Sequence, residues 1–155
     1  MYYQLSKVAH FIGLTMLVGT TVVDFFIAKQ FWKMLAIDRS KSIAIQDVVS
    51  KFGILFAIGG STIIISGVIM LGVTHWSFTE QIWFQIKFML AIMIILNGNL
   101  YGKRQSNTLR KILQEAPSAQ AETELMNIKR NLSVYYLSQM VLFVTIFTLS
   151  VFKFN

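Results

Sequence analysis

The chain has 155 residues, of which 55% are hydrophobic and 14% charged, and its formal net charge is +7. A water-soluble domain usually carries about 25% charged residues, so this composition excludes a disordered chain, a collagen-like repeat and an ordinary water-soluble enzyme. The absence of cysteine excludes disulfides, thiolate zinc sites, iron–sulfur clusters and thioether-linked haem. A single proline, Pro117, favours long unbroken helices.

Four segments are long and apolar enough to cross a membrane. A bilayer core about 30 Å thick requires ~20 mostly apolar residues in helical form. The predicted helices cover residues 8–32, 52–73, 81–113 and 128–152. Because an open sheet cannot satisfy its backbone hydrogen bonds in lipid, the sequence predicts an all-α integral membrane bundle of four transmembrane helices. All 155 residues form a single transmembrane domain in this interpretation.

The three connections differ in length and character. Residues 33–51 mix charged and apolar side chains, which predicts a short amphipathic helix lying on the membrane surface. Residues 74–80 are a tight turn. Residues 103–130 continue the third helix through Leu113, break around Pro117 and restart as a polar helix.

The distribution of positive charge predicts an orientation. Of the 14 lysine and arginine residues, all except Lys7, Lys87 and Lys153 belong to the two long connections or the helix ends beside them. The positive-inside rule then places both connections in the cytoplasm and both termini outside, in the inner (cytoplasmic) membrane of a bacterium. Anionic lipid accounts for the basic charge, so lipid is the expected partner and nucleic acid is not.

Titratable side chains near the outer surface form the first candidate site. A titratable group within a membrane helix costs several kcal/mol at the bilayer centre, so each one calls for an explanation. His10 and Lys87 each lie about one turn inside the outer end of their helix, and His75 is in the turn above them. His10 and His75 could ligate haem iron, and Lys87 could pair with a haem propionate. Alternatively, Lys87 extends to the headgroups, His10 bonds a neighbouring helix, and His75 is an interfacial loop residue.

A second candidate site lies deeper, around Asp24. Asp24 follows His10 by fourteen residues, which returns it to nearly the same helical face. It could be a proton-relay carboxyl, the partner of a cation such as Lys29, or a protonated packing residue. Asn97, Asn99 and Tyr101 end the third helix at a similar depth. The fourth helix carries a largely polar stripe, which should face the bundle or a partner protomer: Tyr135, Ser138, Gln139, Leu142 and Thr145.

Small residues predict where helices approach closely. Gly53, Gly60 and Gly67 recur every seven positions in the second helix, and Gly98 and Gly102 form a G-x-x-x-G spacing at the end of the third. Such seams allow close backbone approach by another helix or by a flat ligand.

Two short motifs suggest a family. Residues 7–13 (KVAHFIG) and residues 83–87 (WFQIK) resemble the small four-helix membrane proteins grouped around bacterial CopD-like proteins and HemJ-type protoporphyrinogen oxidases. The resemblance implies haem b at His10, with Lys87 contributing to the same site. For HemJ-like proteins it implies six-electron oxidation of protoporphyrinogen IX to protoporphyrin IX, with electrons passed onward to quinone.

The sequence therefore leads to a functional hypothesis with two alternatives. The leading hypothesis is a haem-b-associated membrane redox protein of the protoporphyrinogen oxidase type, forming a homodimer or a larger oligomer. Lys87 and Asp24 are its candidate catalytic residues, and His10, His75 and Lys87 are its candidate haem contacts. One alternative is a non-enzymatic transport protein for a small solute, a metal or protons, built around His10, Lys87 and Asp24. The other is a structural subunit of a larger membrane complex.

Overall fold

The computed structural model describes residues 1–114 and 118–152, and the described residues form helices joined by turns. The predicted break at Pro117 lies outside the described residues. The elements, in chain order, are α1 (Tyr2–Leu35), α2 (Arg39–Val73), α3 (Ile82–Leu96), a π-helical segment (Asn97–Gly102), α4 (Lys103–Gln114) and α5 (Ala119–Val151).

The all-α membrane architecture is confirmed. Within the described ranges, four helical rods are long and apolar enough to cross a bilayer. The third of these rods runs without a break from α3 through the π-helical segment into α4. Each rod has 33 to 35 residues, which corresponds to a length of about 50 Å at 1.5 Å per residue. The rods therefore extend beyond a hydrocarbon core about 30 Å thick.

The structure differs from the sequence-based prediction in the first connection. Instead of a separate helix on the membrane surface, residues 39–51 are the first turns of α2. Neither proline nor glycine interrupts this stretch. Ser42 is fully buried, and the Gln46 side-chain amide donates a hydrogen bond to the Ser106 hydroxyl at 3.1 Å. These contacts hold the segment against α4, so it continues the rod rather than lying flat on lipid.

The rods alternate in direction, which gives the bundle two distinct ends. The loop end contains the Ala36–Asp38 turn, the end of α4 and the start of α5. The termini end contains the start of α1, the end of α5 and the turn at 74–81. The most extensive helix–helix contact is between α1 and α2, whereas α3 packs mainly on α5. The bundle is thus an α1–α2 hairpin set against an α3–α5 pair.

Two apolar clusters hold these pairs together. The cluster at the loop end is the larger and includes Phe31 from α1, Leu109 from α4 and Ile128 from α5. A smaller cluster in the middle of the bundle joins Leu17 of α1 to Ile94 of α3 and nearby side chains of α5. Many apolar side chains on the outside of the rods remain exposed, as expected for surfaces that contact lipid.

Candidate functional site

The half-buried His10 side chain is fixed by a hydrogen bond between helices. Its Nδ1 lies 3.0 Å from the hydroxyl oxygen of Ser66 on α2. The Ser66 hydroxyl lies 2.6 Å from the carbonyl oxygen of Thr62 and 3.1 Å from that of Ile63, to which it donates. This hydroxyl has one hydrogen, so it accepts from His10 when it donates to Thr62, and that arrangement places the ring proton on Nδ1. The Nε2 lone pair is then the one available to a ligand.

Lys87 lies within electrostatic range of His10, so the structure brings these two predicted site residues together. Lys87 is half-buried on the first turns of α3. One helical turn before it, Trp83 is 7% exposed and donates from Nε1 to the side-chain oxygen of Gln81 at 2.6 Å. The W-x-x-x-K motif therefore pairs a buried aromatic anchor with a half-buried cation on neighbouring turns.

His75 occupies a different environment. It is exposed in the turn at the termini end, where it and Trp76 have φ angles of 50° and 62°. In residues 1–114 and 118–152, no three His, Asp or Glu side chains form a group that could hold a metal ion.

The residues around His10 fit a haem with one protein-derived axial ligand. Histidine ligands of metals almost always donate the second ring N–H to a fixed acceptor, as His10 does to Ser66. Gly67 is beside the ring, and a Cβ built on it would lie 3.9 Å from His10 Cε1. The half-buried cation at Lys87 can pair with a propionate. His75 lies in an exposed turn, so its imidazole is not oriented toward iron in the way that Ser66 orients the imidazole of His10.

Asp24 lies at a second site, near the loop end. Its Oδ2 accepts a hydrogen bond from the Tyr136 hydroxyl of α5 at 2.9 Å. Its Oδ1 is buried and has no hydrogen-bond partner within the described residues. Lys29, the cation weighed as a partner from the sequence, instead places Nζ 4.4 Å from the centre of the Phe25 ring. The structure thus joins Asp24 to a phenol rather than to an ammonium group.

A cavity of about 350 Å³ adjoins Asp24. It is lined by all four rods, including Gly98 and Gly102 of the π-helical segment. A Cβ at Gly102 would lie 2.8 Å from the Tyr135 ring, so this glycine allows the ring to lie against the backbone. Since π-helical turns occur frequently at functional sites, the cavity is a second candidate binding region.

The polar stripe predicted on α5 faces the bundle over most of its length. Gln139 is fully buried and accepts a hydrogen bond from the Asn97 amide at 2.8 Å. The same amide donates to the Ser138 hydroxyl at 3.0 Å. Thr145 differs from the prediction, because it is exposed and its hydroxyl donates to the carbonyl of Val141 on its own helix. The stripe therefore ends before Thr145.

Sequence reasoning missed two partners that define these sites. Ser66 is one of several small residues beside the glycines of α2, and nothing in its spacing marks it as the partner of His10. Tyr136 was absent from the predicted stripe because it is adjacent to Tyr135 rather than on the same i, i+3, i+4 series. Both contacts depend on helix rotation, which the sequence does not specify.

Comparison with known proteins adds no relative: no family model, curated protein or solved structure matches the chain.

Proposed function

We propose that this protein is a multi-pass membrane redox protein that binds haem b through Nε2 of His10. The observation that carries the proposal is the 3.0 Å hydrogen bond from His10 to Ser66. It fixes the tautomer in which Nε2 has a free lone pair, and it holds the ring on a buried serine. Lys87, a half-buried cation within electrostatic range of the neutral imidazole, supports the proposal because it could pair with a haem propionate.

Each of the residues around His10 would have a separate role in binding haem b. Ser66 orients the imidazole, Gly67 leaves room beside it, and Lys87 donates to a propionate. Haem b, when bound, would supply one-electron redox chemistry at its iron. The CopD-like and HemJ-type resemblance of residues 7–13 and 83–87 favours oxidation of protoporphyrinogen IX, with quinone as the electron acceptor.

The wider setting of the proposal follows the sequence. The loop end, with most of the lysine and arginine residues, would face the cytoplasm, and both termini would be outside the bacterial inner membrane. The protein would act as a homodimer or larger oligomer, because many apolar side chains on the outside of the rods are available to a second copy as well as to lipid.

The direct test is the absorption spectrum of the protein purified from haem-supplied cells, with haem identified as its pyridine haemochrome. We expect a Soret band that is lost in His10→Ala and retained in His75→Ala. Ser66→Ala removes the acceptor but leaves the ligand, so it should retain haem and shift the reduction potential. A colourless parent protein, or an unchanged spectrum in His10→Ala, would contradict the proposal.

Lys87 provides a second test, because its proposed role depends on charge. Lys87→Arg retains a cation and should bind haem with intermediate occupancy, whereas Lys87→Met keeps the length without the charge and should bind least. Oxidation of protoporphyrinogen IX by the same preparations tests the specific activity. If both variants match the parent in haem content and activity, Lys87 is an interfacial anchor only.

A further inference from the structure

The cavity at the loop end contains one deeply placed carboxylate. Asp24 is the only acidic residue among those that line the cavity, and Lys103, an exposed residue at the start of α4, is the only basic one. The two ion pairs within the described ranges, Lys41 with Asp38 and Arg110 with Asp47, lie elsewhere. Asp24 is therefore not neutralised by either of these pairs.

Only one of the two carboxylate oxygens of Asp24 has a hydrogen-bond partner in the described part of the chain. The Tyr136 hydroxyl donates to Oδ2, and the Tyr136 ring is held edge-on to Phe25 with centroids 5.7 Å apart. This contact fixes the carboxylate and leaves the buried Oδ1 without a donor in the described part of the chain. Buried acceptors are nearly always hydrogen-bonded in folded proteins, so the exception calls for a donor.

Aromatic rings line the cavity that adjoins Asp24. Phe31, Trp32, Phe56, Tyr135 and Tyr136 come from α1, α2 and α5. A carboxylate combined with aromatic faces is the chemistry that recognises organic cations, because the rings attract positive charge while excluding water. The volume of about 350 Å³ is close to the lower limit for small-molecule pockets, ~300 Å³.

We propose that this cavity binds a primary ammonium compound with a small aromatic body, whose ammonium group donates a hydrogen bond to Oδ1 of Asp24. The aromatic body lies against the rings of Tyr135 and Tyr136, which are 5.0 Å apart and adjoin Asp24 through the Tyr136 hydroxyl. Lys103, on the exposed side, disfavours entry of a second cation and limits the site to one positive charge. This site is separate from His10 and does not depend on haem binding.

Phenethylammonium is the probe, and 2-phenylethanol is its uncharged counterpart of nearly the same size. Binding to the purified protein in detergent is followed by calorimetry and by thermal stabilisation. We expect saturable binding of phenethylammonium alone, weakened about tenfold or more in Asp24→Asn, which is a loss of about 1.4 kcal/mol. Asp47→Asn is the matched control, since it removes an exposed carboxylate from the same end and should bind as the parent does.

A comparison of the two probes on the parent protein gives a second test that does not require an Asp24 variant, because only phenethylammonium carries the charge that Asp24 would bind. Equal binding of 2-phenylethanol, or unchanged binding in Asp24→Asn, would overturn the proposal. An infrared band of a protonated carboxylic acid that is absent from Asp24→Asn and unaffected by the amine would also overturn it. Such a band would mean that a bound proton, rather than an ammonium group, satisfies Asp24. His10→Ala should retain amine binding, which separates this test from that of haem.

Discussion

Gly13 of α1 and Gly59 of α2 are in reciprocal backbone contact. A Cβ built on either glycine would lie 2.9 Å from the carbonyl oxygen of the other. Real Cβ atoms do not approach a carbonyl so closely, so the α1–α2 hairpin depends on the absence of a side chain at both positions. This contact is between the His10–Ser66 hydrogen bond and the Asp24 cavity, and it sets the spacing of the two helices that form both sites.

Gly59→Ala should therefore destabilise the bundle. The added methyl group would press on the backbone of α1, and overpacking of this kind costs about 1–3 kcal/mol. Gly19→Ala is the matched control, because a Cβ there meets nothing within 4 Å, and replacing glycine in an exposed helix stabilises by up to ~1 kcal/mol. Unfolding in mixed micelles by increasing fractions of SDS would measure both changes. A Gly59→Ala protein as stable as Gly19→Ala would contradict the close contact.

The hydrogen bonds between Asn97 and Gln139 should show strong coupling. Asn97→Leu leaves Gln139, which is fully buried, with the carbonyl of Ile94 at 3.4 Å as its remaining hydrogen-bond partner among the described residues. We expect a loss of about 1 kcal/mol, the upper part of the range for hydrogen bonds between membrane helices. The double variant with Gln139→Leu should lose less than the sum of the two single losses, since it leaves no orphaned amide. Additive losses in the same SDS titration would argue against a shared network.

Asp38 should give the start of α2 a pH-dependent stability. The backbone N–H of Lys41 donates to its carboxylate at 3.1 Å, which holds the pKa of Asp38 below its ordinary value. A carboxyl with a lowered folded-state pKa contributes stability above its unfolded pKa, and this contribution is lost as pH falls through the folded-state pKa. Asp38→Ser retains an N-cap acceptor without a charge, so it should reduce the loss of thermal stability on acidification. The same acid sensitivity in both proteins would assign it to other groups.

Cysteine labelling tests the orientation. Ser42 lies in the first predicted connection but is fully buried, and Asn155 lies outside the described residues, so neither is a suitable labelling position. Exposed positions are better: Lys41→Cys and Ser118→Cys at the loop end, with Ser77→Cys at the termini end as the opposite control. An impermeant maleimide added to intact cells should label only Ser77→Cys. Labelling of Lys41→Cys instead would place the loop end outside and exchange the two sites between leaflets.

Properties that depend on local sequence were predictable, and properties that depend on helix rotation were not. The four rods follow from hydropathy alone. The burial of Gln139 and Tyr135 follows from the period of the polar stripe on α5. By contrast, the seven-residue spacing pointed to Gly60, whereas the backbone contact uses its neighbour Gly59. Successive side chains of an α-helix are rotated by about 100° about the helix axis, so an error of one residue changes which side chain faces the neighbouring helix. A seven-residue spacing does not identify the contact residue to within one position.

The same limit explains the outcome for residues 39–51. Their mixed charged and apolar pattern suits a membrane surface, but it suits packing against another protein helix equally well. Ile43 and Ile45 pack against the loop-end cluster, where α4 supplies an apolar face. The sequence predicts that the third helix continues through Leu113, but which helix packs against its apolar face depends on the tertiary contacts.

The helices are packed together more extensively at the loop end than at the termini end, and this difference affects how the protein responds to bilayer thickness. At the loop end, Arg39 donates hydrogen bonds to the carbonyl oxygens of Ile112 and Leu113 at 2.9 and 3.2 Å, and the larger apolar cluster joins the rods. Hydrophobic mismatch is accommodated by helix tilt wherever packing permits it. In a thinner or thicker membrane the rods would therefore splay or converge at the termini end, altering the distance between His10 and Lys87 while the geometry around Asp24 stays fixed.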